Sequence, residues 1–355
     1  MSVPGPPQGA NRVPSGGSAA AKSQARGDHA SAAAHPRTIA AAPQRRQRIV
    51  IAGGSGFVGD HVVAKLSGAG HDVLVLTRRR ERARHLLLLP TVRVVEVDPY
   101  DPAALAHWTR HASAAINLVG VLHRRGRDTF ERVHVEFVRT FTAACRNAGV
   151  SRFVHMSALG AGADAPSAYL RSKAAGEAIV AESGLAATIF RPSVIFGRGD
   201  SFLTLFARLA QVFPLIPLAC ARARFQPVFV GDVAACFAQA IVDDGTIGNC
   251  YALCGPKAYT LEALVRYVAE TSGHPRPIVP LGPTLANLQA RVMEWLPGPL
   301  LTRDNLASMQ QDSVCEGAFP AEFGIDPAPV EAIAPEYLAP IALHTRFDTF
   351  RAQAR

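Results

Sequence analysis

Short apolar runs alternate with segments of helical periodicity along most of this chain. Residues 49–51 are typical of a buried strand, and Val62, Val63 and Leu66 then recur at the spacing of one helical face. The same alternation predicts further strands at 72–77, 92–97, 114–119, 152–156, 187–191 and 228–230, and further helices at 103–111, 129–148 and 232–242. Because helices follow the strands, right-handed crossovers would build an α/β fold, a doubly wound parallel sheet of the Rossmann type.

The alternation loosens from about Ile195, where proline becomes more frequent. We therefore predict a smaller C-terminal lobe that faces the substrate, with the helix at 232–242 returning to the main sheet. The first 46 residues lack hydrophobic periodicity and cannot bury enough apolar surface to offset the entropy of ordering. The predicted division is a disordered tail at 1–46, a nucleotide-binding domain at 47–245, a smaller lobe at 195–225 and 246–345, and a tail at 346–355.

A glycine-rich turn joins the first predicted strand to the first helix. Gly53 suits a tight turn, Gly56 lets the backbone approach a pyrophosphate, and Gly59 lets the new helix pack closely on the sheet. The helix N-terminus then directs free N–H groups and the positive end of its dipole toward the phosphates. The pattern predicts a dinucleotide site formed by Gly53, Ser55, Gly56, Phe57, Val58 and Gly59.

Three polar residues with an acid/base pattern follow the fifth predicted strand. Ser157 stands at the end of that strand, where ligands collect in open α/β sheets, and Tyr169 and Lys173 share one helical face. An ammonium beside a phenol lowers the phenol's pKa from about 10 toward working pH, which makes Tyr169 a candidate acid/base that Ser157 could assist. With a nicotinamide cofactor these residues would form a hydride-transfer site. The simpler alternative is a loop-capping tyrosine and a solvated lysine.

The end of the second predicted strand indicates which cofactor is preferred. An acidic residue there would hold the ribose 2′-hydroxyl of NAD, but this chain has Thr77 followed by Arg78 and two further arginines. Guanidinium groups suit a 2′-phosphate, so NADP(H) is predicted, with NAD(H) as the alternative cofactor. The alternative for the arginines themselves is that they are only a solvated run of charges. Asp98 is placed to accept a hydrogen bond from the adenine amino group, and Arg191 and Pro192 are placed to line the nicotinamide end.

The order of the motifs resembles that of the extended, atypical short-chain dehydrogenase/reductases. The motifs are GGSGFVG, NLVG, MSALGA, YLRSKAAGE, RPSVIFGRGD and FQPVFVGDVA, and the resemblance covers about 48–313. The most similar branch contains the nucleotide-binding accessory subunit of respiratory complex I and its bacterial relatives. The resemblance implies a Rossmann-type fold that binds NAD(P), with Val119, Gly120 and Lys173 added to the cofactor site. Some members of this branch act in assembly rather than turnover.

One residue departs from the pattern of the family. Typical extended members have an Asn in the helix before the fifth strand, as part of a proton relay to the lysine, whereas this chain has His134. A histidine can itself relay protons, so His134 either replaces the Asn in part or is simply packed on the sheet.

Three functional hypotheses remain open. The first is an NADP-dependent oxidoreductase that acts on a hydroxyl or carbonyl group of a hydrophobic or quinone-like substrate. The second is a catalytically weak nucleotide-binding accessory or assembly factor of a respiratory complex or of ubiquinone biosynthesis. The third is a nucleotide-sugar epimerase or dehydratase.

Charge and cysteine usage restrict location and partners. The first 48 residues hold seven Lys and Arg residues and a single Asp, so most of the net charge of +9 lies there and does not indicate nucleic-acid binding. The six cysteines form no CxxC pair, which predicts free thiols, no metal site and a reducing compartment. The small number of lysines suggests a GC-rich genome. We therefore predict a bacterial cytoplasmic protein, with the periphery of the inner membrane as an alternative.

Two apolar segments bear on the partners. Residues 201–221 contain a single charge, but Pro214 and Pro217 argue against a membrane-spanning helix. Residues 283–296 place apolar side chains along one helical face, which predicts core packing. If this stripe is exposed, it and residues 202–218 would instead dock on a membrane-bound partner or take up an isoprenoid tail. A small-molecule substrate and a membrane-associated protein are the predicted partners.

Overall fold

A seven-stranded parallel sheet forms the centre of the computed structural model, which describes residues 46–124, 126–295 and 301–339. With all strands numbered in chain order, this sheet contains β1 (Arg48–Ala52), β2 (Asp72–Thr77), β3 (Val92–Glu96), β4 (Ala114–Asn117), β5 (Arg152–Met156), β6 (Ala187–Pro192) and β11 (Cys250–Leu253). Their order across the sheet is β11-β6-β5-β4-β1-β2-β3, so the winding reverses beside β1, where open α/β sheets bind ligands. The predicted tails at 1–46 and 346–355 lie outside the described residues, apart from Arg46.

Helices cover both faces of the sheet because side chains alternate along each strand. In β1, Ile49 and Ile51 point to one side and Val50 and Ala52 to the other, and all four are buried. The first side is covered by α1 (Phe57–Gly68) and α6 (Val230–Val242), and the second by α2 (Pro102–Thr109), α3 (Phe137–Asn147) and α4 (Ala168–Glu182). The predicted doubly wound, Rossmann-type fold is confirmed.

Two strands differ from the prediction. β11 pairs with β6 in the main sheet, whereas the prediction placed its residues in the smaller lobe. The sequence did not indicate this strand because four residues are too few to give a clear hydrophobic pattern. The predicted strand at 228–230 forms only β10 (Val228–Phe229), which pairs with β7 (Ile195–Phe196) outside the main sheet. It ends there because α6 already begins at Val230.

The smaller lobe is organised around two helices, α5 (Phe202–Val212) and α7 (Leu261–Thr271), whose apolar residues share one buried cluster. Its short strand pairs are β8 (Ile216–Leu218) with β13 (Ile278–Pro280), and β9 (Arg224–Phe225) with β12 (Tyr259–Thr260). Its remaining helices are α8 (Pro283–Glu294), α9 (Arg303–Ser308), α10 (Val330–Ile333) and α11 (Pro335–Leu338). Across the described ranges, no helix is long and apolar enough to cross a membrane.

The helix α8 presents its larger apolar side chains to solvent, so the predicted core packing of this stripe is wrong. Its buried residues are Ala286 and Ala290, which pack with Ala219 and Leu306. The residues of the stripe itself are exposed, namely Leu285, Leu288, Val292 and Trp295, and Leu296 lies outside the described residues. Periodicity finds an apolar stripe but does not show which face of the helix meets the protein.

Two of the cysteines form a disulfide, which corrects the prediction that all six are free. Cys254 follows β11, Cys315 lies 61 residues further along the chain, and their Cα atoms are 6.1 Å apart. Sequence spacing does not reveal a pair this distant, and disulfides are rare in reducing compartments, so the cysteines no longer support that compartment. The free cysteines are Cys145 and Cys236, which are buried, Cys220, which is half-buried, and Cys250, which is exposed.

Breaking this disulfide is expected to lower the free energy of unfolding by about 4 kcal/mol, because the unfolded chain loses a crosslink across 61 residues. Urea unfolding with and without a reductant measures the difference. The Cys254→Ser variant should unfold like the reduced wild type and should not respond to the reductant. A variant as stable as the oxidised wild type would contradict the expectation.

Candidate active site

The glycine-rich turn between β1 and α1 has the tight geometry that its sequence predicts. Gly53 has a φ of +82°, and a Cβ atom on it would lie 2.7 Å from the backbone carbonyl carbon of Leu118. The Gly56 N–H donates to the Gly53 carbonyl at 3.1 Å. The N–H groups of the first turn of α1 have no intrahelical acceptor. The turn therefore provides the backbone donors and the open approach that a pyrophosphate needs.

A cleft of about 780 Å³ opens beside this turn. Its lining includes six of the predicted cofactor residues, namely Gly53, Ser55, Gly56, Arg78, Val119 and Gly120. Apolar residues complete much of the lining, among them Leu76, Val97, Tyr100, Leu105 and Phe137. Phe57, Val58 and Gly59 do not line the cleft, and they form the start of the helix behind it. The size and mixed lining suit a dinucleotide.

Three arginines, Arg78, Arg79 and Arg82, line the cleft. The Arg78 Nη1 lies 2.7 Å from both carboxylate oxygens of Asp128, a residue between β4 and α3 that also lines the cleft. The ion pair therefore connects two segments of the cleft wall. Within the part of the chain that the structure describes, the side chains of Arg79 and Arg82 have no ion-pair partner. The cleft wall thus carries excess positive charge where a phosphate could bind.

Tyr169 and Lys173 lie on α4, as predicted, and Ser157 lies just beyond β5. The Lys173 ammonium donates to the Met156 carbonyl at 2.9 Å. A Cβ atom on Gly120 would lie 3.4 Å from the Lys173 Nζ, so the ammonium borders a residue that lines the cleft. The structure therefore brings the predicted lysine to the predicted cofactor site.

Burial controls the ionisation of Tyr169 and Lys173. It raises the pKa of Tyr169 to about 12 and lowers the pKa of Lys173 to about 8, and the nearby Glu177 carboxylate opposes the second shift. The prediction that Lys173 lowers the pKa of Tyr169 is wrong for this structure, because burial dominates and the ammonium bonds to the Met156 carbonyl. At neutral pH Tyr169 is a neutral phenol, which can donate a proton.

His134 has both ring nitrogens engaged in hydrogen bonds. The Val121 N–H donates to its Nε2 at 3.1 Å, so the proton must sit on Nδ1, which lies 2.8 Å from the Ser172 hydroxyl. Burial lowers the pKa of His134 to about 2, with Lys173 and His155 adding to the effect. Of the two sequence interpretations, this geometry favours the packed histidine, which fixes the loop after β4 against α4.

The helix that carries His134 is also less regular than predicted. The expected helix at 129–148 contains a π-helical turn at Arg132–Glu136 before α3. A Cβ atom on Gly176 of α4 would lie 2.5 Å from the His134 carbonyl oxygen, so the two helices meet almost backbone to backbone. Such turns are common at functional sites.

Two buried polar groups near Lys173 have no hydrogen-bond partner among the described residues. The side-chain Oδ1 of Asn117 accepts from the Val119 N–H, so its side-chain Nδ2 donates to the Nδ1 of His155 at 3.1 Å and leaves the His155 Nε2–H unpaired. The Ser157 hydroxyl is also buried and unpaired. Burying a polar group without a partner costs about 1–3 kcal/mol, which a ligand that bonds to these groups would recover.

Distant residues hold α4 in place, and sequence reasoning missed them. The Asp304 carboxylate accepts from the N–H groups of Ala168 and Tyr169 at 2.7 and 3.1 Å, which stabilises the helix start. At the other end of α4, Glu177 accepts from Arg191 at 2.8 Å. The Ala168 N–H that Asp304 accepts from is 136 residues earlier in the chain, so sequence spacing gave no signal for this contact.

The structure does not bring every predicted cofactor residue to the cleft. Asp98 is exposed and its Oδ1 accepts from the Tyr100 N–H at 3.0 Å, although its neighbours Val97 and Pro99 line the cleft. Arg191 is engaged by Glu177, and neither Arg191 nor Pro192 lines the cleft. Their contact with a cofactor stays a prediction.

Comparisons with known proteins define the class. Residues 53–200 match a family described as NAD(P)H-binding. The mouse NADH dehydrogenase (ubiquinone) 1 alpha subcomplex subunit 9, a mitochondrial protein, is 32% identical over 295 residues, 81% of this chain and 78% of the relative. A ceramide reductase of Caulobacter vibrioides is 33% identical over 194 residues, 55% of this chain and 61% of the relative. The chain belongs to the extended, atypical short-chain dehydrogenase/reductases, in the group that includes the complex I subunit 9 proteins.

A solved structure supports the fold independently. The Escherichia coli NADPH-dependent quinone oxidoreductase QOR2, complexed with NADPH, superposes with a TM-score of 0.66 at 18% identity and covers 82% of this chain and 99% of its own. At this identity the likeness concerns the fold alone.

Proposed function

We propose that this protein is an NADP(H)-dependent oxidoreductase that reduces a carbonyl group of a hydrophobic, quinone-like substrate. One observation carries the proposal, namely the buried and unpaired Ser157 hydroxyl, which directly follows the Met156 carbonyl that accepts from the Lys173 ammonium at the border of the cleft. The name of a ceramide reductase among the similar proteins supports a reductive reaction on a large apolar molecule.

The chain's residues have distinct tasks in this reaction. The Tyr169 hydroxyl donates its proton to the carbonyl oxygen, and the Ser157 hydroxyl donates a hydrogen bond to the same oxygen. NADPH, when bound, supplies the hydride to the carbonyl carbon. Lys173, charged below its pKa of about 8, lies one helical turn after Tyr169 on α4 and would supply positive charge on the same side of the helix as the phenol loses its proton. The product of a ketone is an alcohol. The product of a quinone is a hydroxydienone, which becomes the hydroquinone when the hydrogen added to carbon leaves as a proton and the second carbonyl oxygen takes one up.

The neutral state of Tyr169 suits the start of a carbonyl reduction. Oxidising an alcohol requires a phenolate at the start, whereas the pKa of Tyr169 is raised to about 12 by burial. A neutral phenol is the form that carbonyl reduction needs. This is why the proposal names a carbonyl rather than a hydroxyl substrate.

The charge of the cleft supports NADP(H) as the cofactor. Arg79 and Arg82 line the cleft without ion-pair partners in the described structure, and Arg78 stands directly after β2, where the 2′-substituent is distinguished. However, Arg78 already forms an ion pair with Asp128. A 2′-phosphate must therefore compete with the Asp128 carboxylate for the Arg78 guanidinium.

The Asp128→Asn variant is expected to bind NADPH several-fold to about tenfold more tightly, because Arg78 is released and a repelling charge is removed. Binding of NADH, which lacks the 2′-phosphate, should change little and is the internal control. Quenching of protein fluorescence or calorimetric titration measures both affinities. Equal changes for the two nucleotides, or weaker NADPH binding, would contradict the role given to Asp128.

The accessory-factor hypothesis remains the second candidate because two features of the site and the name of one relative favour it. His134 is fixed by two hydrogen bonds and does not offer a proton relay, and the Lys173 ammonium bonds to the Met156 carbonyl. The mouse relative is named as a subunit of a respiratory NADH dehydrogenase. In this role NADPH would stabilise the fold without turning over.

One experiment separates the two candidates. The purified protein is denatured to release and identify any bound nucleotide, and the native protein is then mixed with NADPH and a short-chain ubiquinone or an apolar ketone. Oxidation of NADPH in proportion to the enzyme supports the oxidoreductase. A bound nucleotide that neither exchanges nor oxidises supports the accessory role instead.

A further inference from the structure

The helix α8 is amphipathic, but its large apolar side chains face solvent instead of the protein. Its small residues Ala286 and Ala290 face the protein, whereas its large apolar residues face solvent. Leu285, Leu288 and Val292 are 56–61% exposed, and Trp295, directly after the helix, is 91% exposed. Residues 285, 288, 292 and 295 follow helical spacing, so they form one continuous apolar edge. Leaving four large apolar side chains in water is unfavourable unless something covers them.

A second exposed apolar segment lies beside α8. Val212, Phe213 and Leu215 connect α5 to β8 and are 46–71% exposed. β8 pairs with β13, which leads directly into α8, and the Gln289 side chain of α8 donates to the Pro217 carbonyl at 3.2 Å. The two exposed segments therefore belong to one surface of the smaller lobe, which we call the apolar edge.

The charged residues of the segments that form the apolar edge are mostly of one sign. Residues 201–230 and 272–295 contain five arginines and one acidic residue, Glu294. Glu294 is paired with Arg303 at 3.0 Å, so its charge is compensated. Arg291 lies on the exposed side of α8 and Arg208 on the exposed side of α5. An apolar surface with this excess of arginine is complementary to anionic lipid headgroups above an acyl layer.

We propose that the apolar edge binds the surface of a membrane that contains anionic lipids. α8 would lie in the interface, with Leu285, Leu288 and Val292 in the acyl boundary and Trp295 at headgroup depth, where tryptophan is favoured. The arginines would contact the lipid phosphates. A lipid surface fits better than a protein partner because both segments carry an excess of positive charge, whereas protein interfaces usually mix polar groups of both signs. The proposal is independent of turnover.

Co-sedimentation with vesicles tests this proposal. The full chain should bind vesicles of phosphatidylcholine with phosphatidylglycerol more tightly than vesicles of phosphatidylcholine alone, and salt should weaken the binding. The Leu288→Ser, Trp295→Ser double variant should bind about tenfold or more weakly, and Arg291→Glu should lose the preference for anionic vesicles. The matched control is Leu87→Ser with Leu88→Ser, since Leu88 is 85% exposed but lies outside the apolar edge.

Fluorescence gives a second readout that does not depend on sedimentation. In a Trp108→Phe background Trp295 is the remaining tryptophan, and its emission should shift to the blue on addition of anionic vesicles. Thermal unfolding confirms that each variant is folded. The proposal is overturned if the chain does not bind anionic vesicles, or if the control lowers binding as much as the double variant. It is also overturned if the double variant instead dissociates a dimer or releases a bound protein.

Discussion

Replacing Tyr169 with Phe is expected to lower the rate of carbonyl reduction by about 10²–10⁴-fold, the usual contribution of a general acid. The variant loses only the hydroxyl, which has no hydrogen-bond partner among the described residues and is the proton donor of the proposed reaction. Its ring would keep the edge-on contacts with Phe130 and His134, at centroid distances of 5.9 and 5.6 Å. Steady-state oxidation of NADPH with a saturating quinone or ketone measures the loss.

The affinity for NADPH and the unfolding midpoint of the Tyr169→Phe variant should remain those of the wild type. Tyr267→Phe is the matched control, because Tyr267 is a half-buried tyrosine packed in the smaller lobe rather than at the site. If turnover were unchanged in the Tyr169→Phe variant, Tyr169 would not be the general acid. A parallel loss of stability would show instead that the phenol is structural.

Sequence reasoning was most accurate where the determining contacts are local. The strands β2 and β5 have their predicted bounds, and the turn around Gly53 has its predicted geometry, because short apolar runs and glycine spacing act within a few residues. The i, i+4 spacing likewise placed Tyr169 and Lys173 on one helix.

The details of the site depend on contacts that sequence spacing does not show. Arg78 and Asp128 are 50 residues apart, and their ion pair changes what Arg78 can offer a cofactor. The state of His134 depends on the backbone N–H of Val121 and the hydroxyl of Ser172, which no side-chain pattern reveals. His155 offered a weak signal, since it precedes Ser157 by two residues and shares its strand face, but only packing shows that its Nε2 is unpaired.

The cleft and the apolar edge have different consequences for function. The cleft beside β1 provides the nucleotide site, and the proposed acid Tyr169 lies on α4 with Lys173, whose ammonium borders the cleft at Gly120. The apolar edge lies on the smaller lobe and contains none of the cofactor residues. A reductase whose substrate dissolves in membranes would need both, whereas an accessory factor would need only the edge and a stably bound nucleotide. Measuring turnover and vesicle binding on the same preparations therefore separates the two roles.

Replacing Gly59 with Ala is expected to weaken NADPH binding by roughly 100-fold and to destabilise the fold by about 1–3 kcal/mol. The added Cβ would lie 2.4 Å from the Gly53 carbonyl oxygen and 2.6 Å from the backbone of Gly54. Both contacts are with backbone, so no side chain can move aside, and the whole turn must shift away from α1. The shift would displace the N–H groups that face the pyrophosphate. Calorimetric titration with NADPH and urea unfolding measure the two effects.

Gly68→Ala is the matched control because Gly68 lies in the same helix and a Cβ atom there would meet nothing within 4 Å. This change should leave NADPH binding intact and stabilise the protein slightly, by about 0.5–1 kcal/mol, since alanine loses less entropy than glycine in a helix. The contrast isolates the packing of the turn from helix propensity. If Gly59→Ala bound NADPH as tightly as Gly68→Ala, the close approach of α1 to the turn would not be what shapes the nucleotide site.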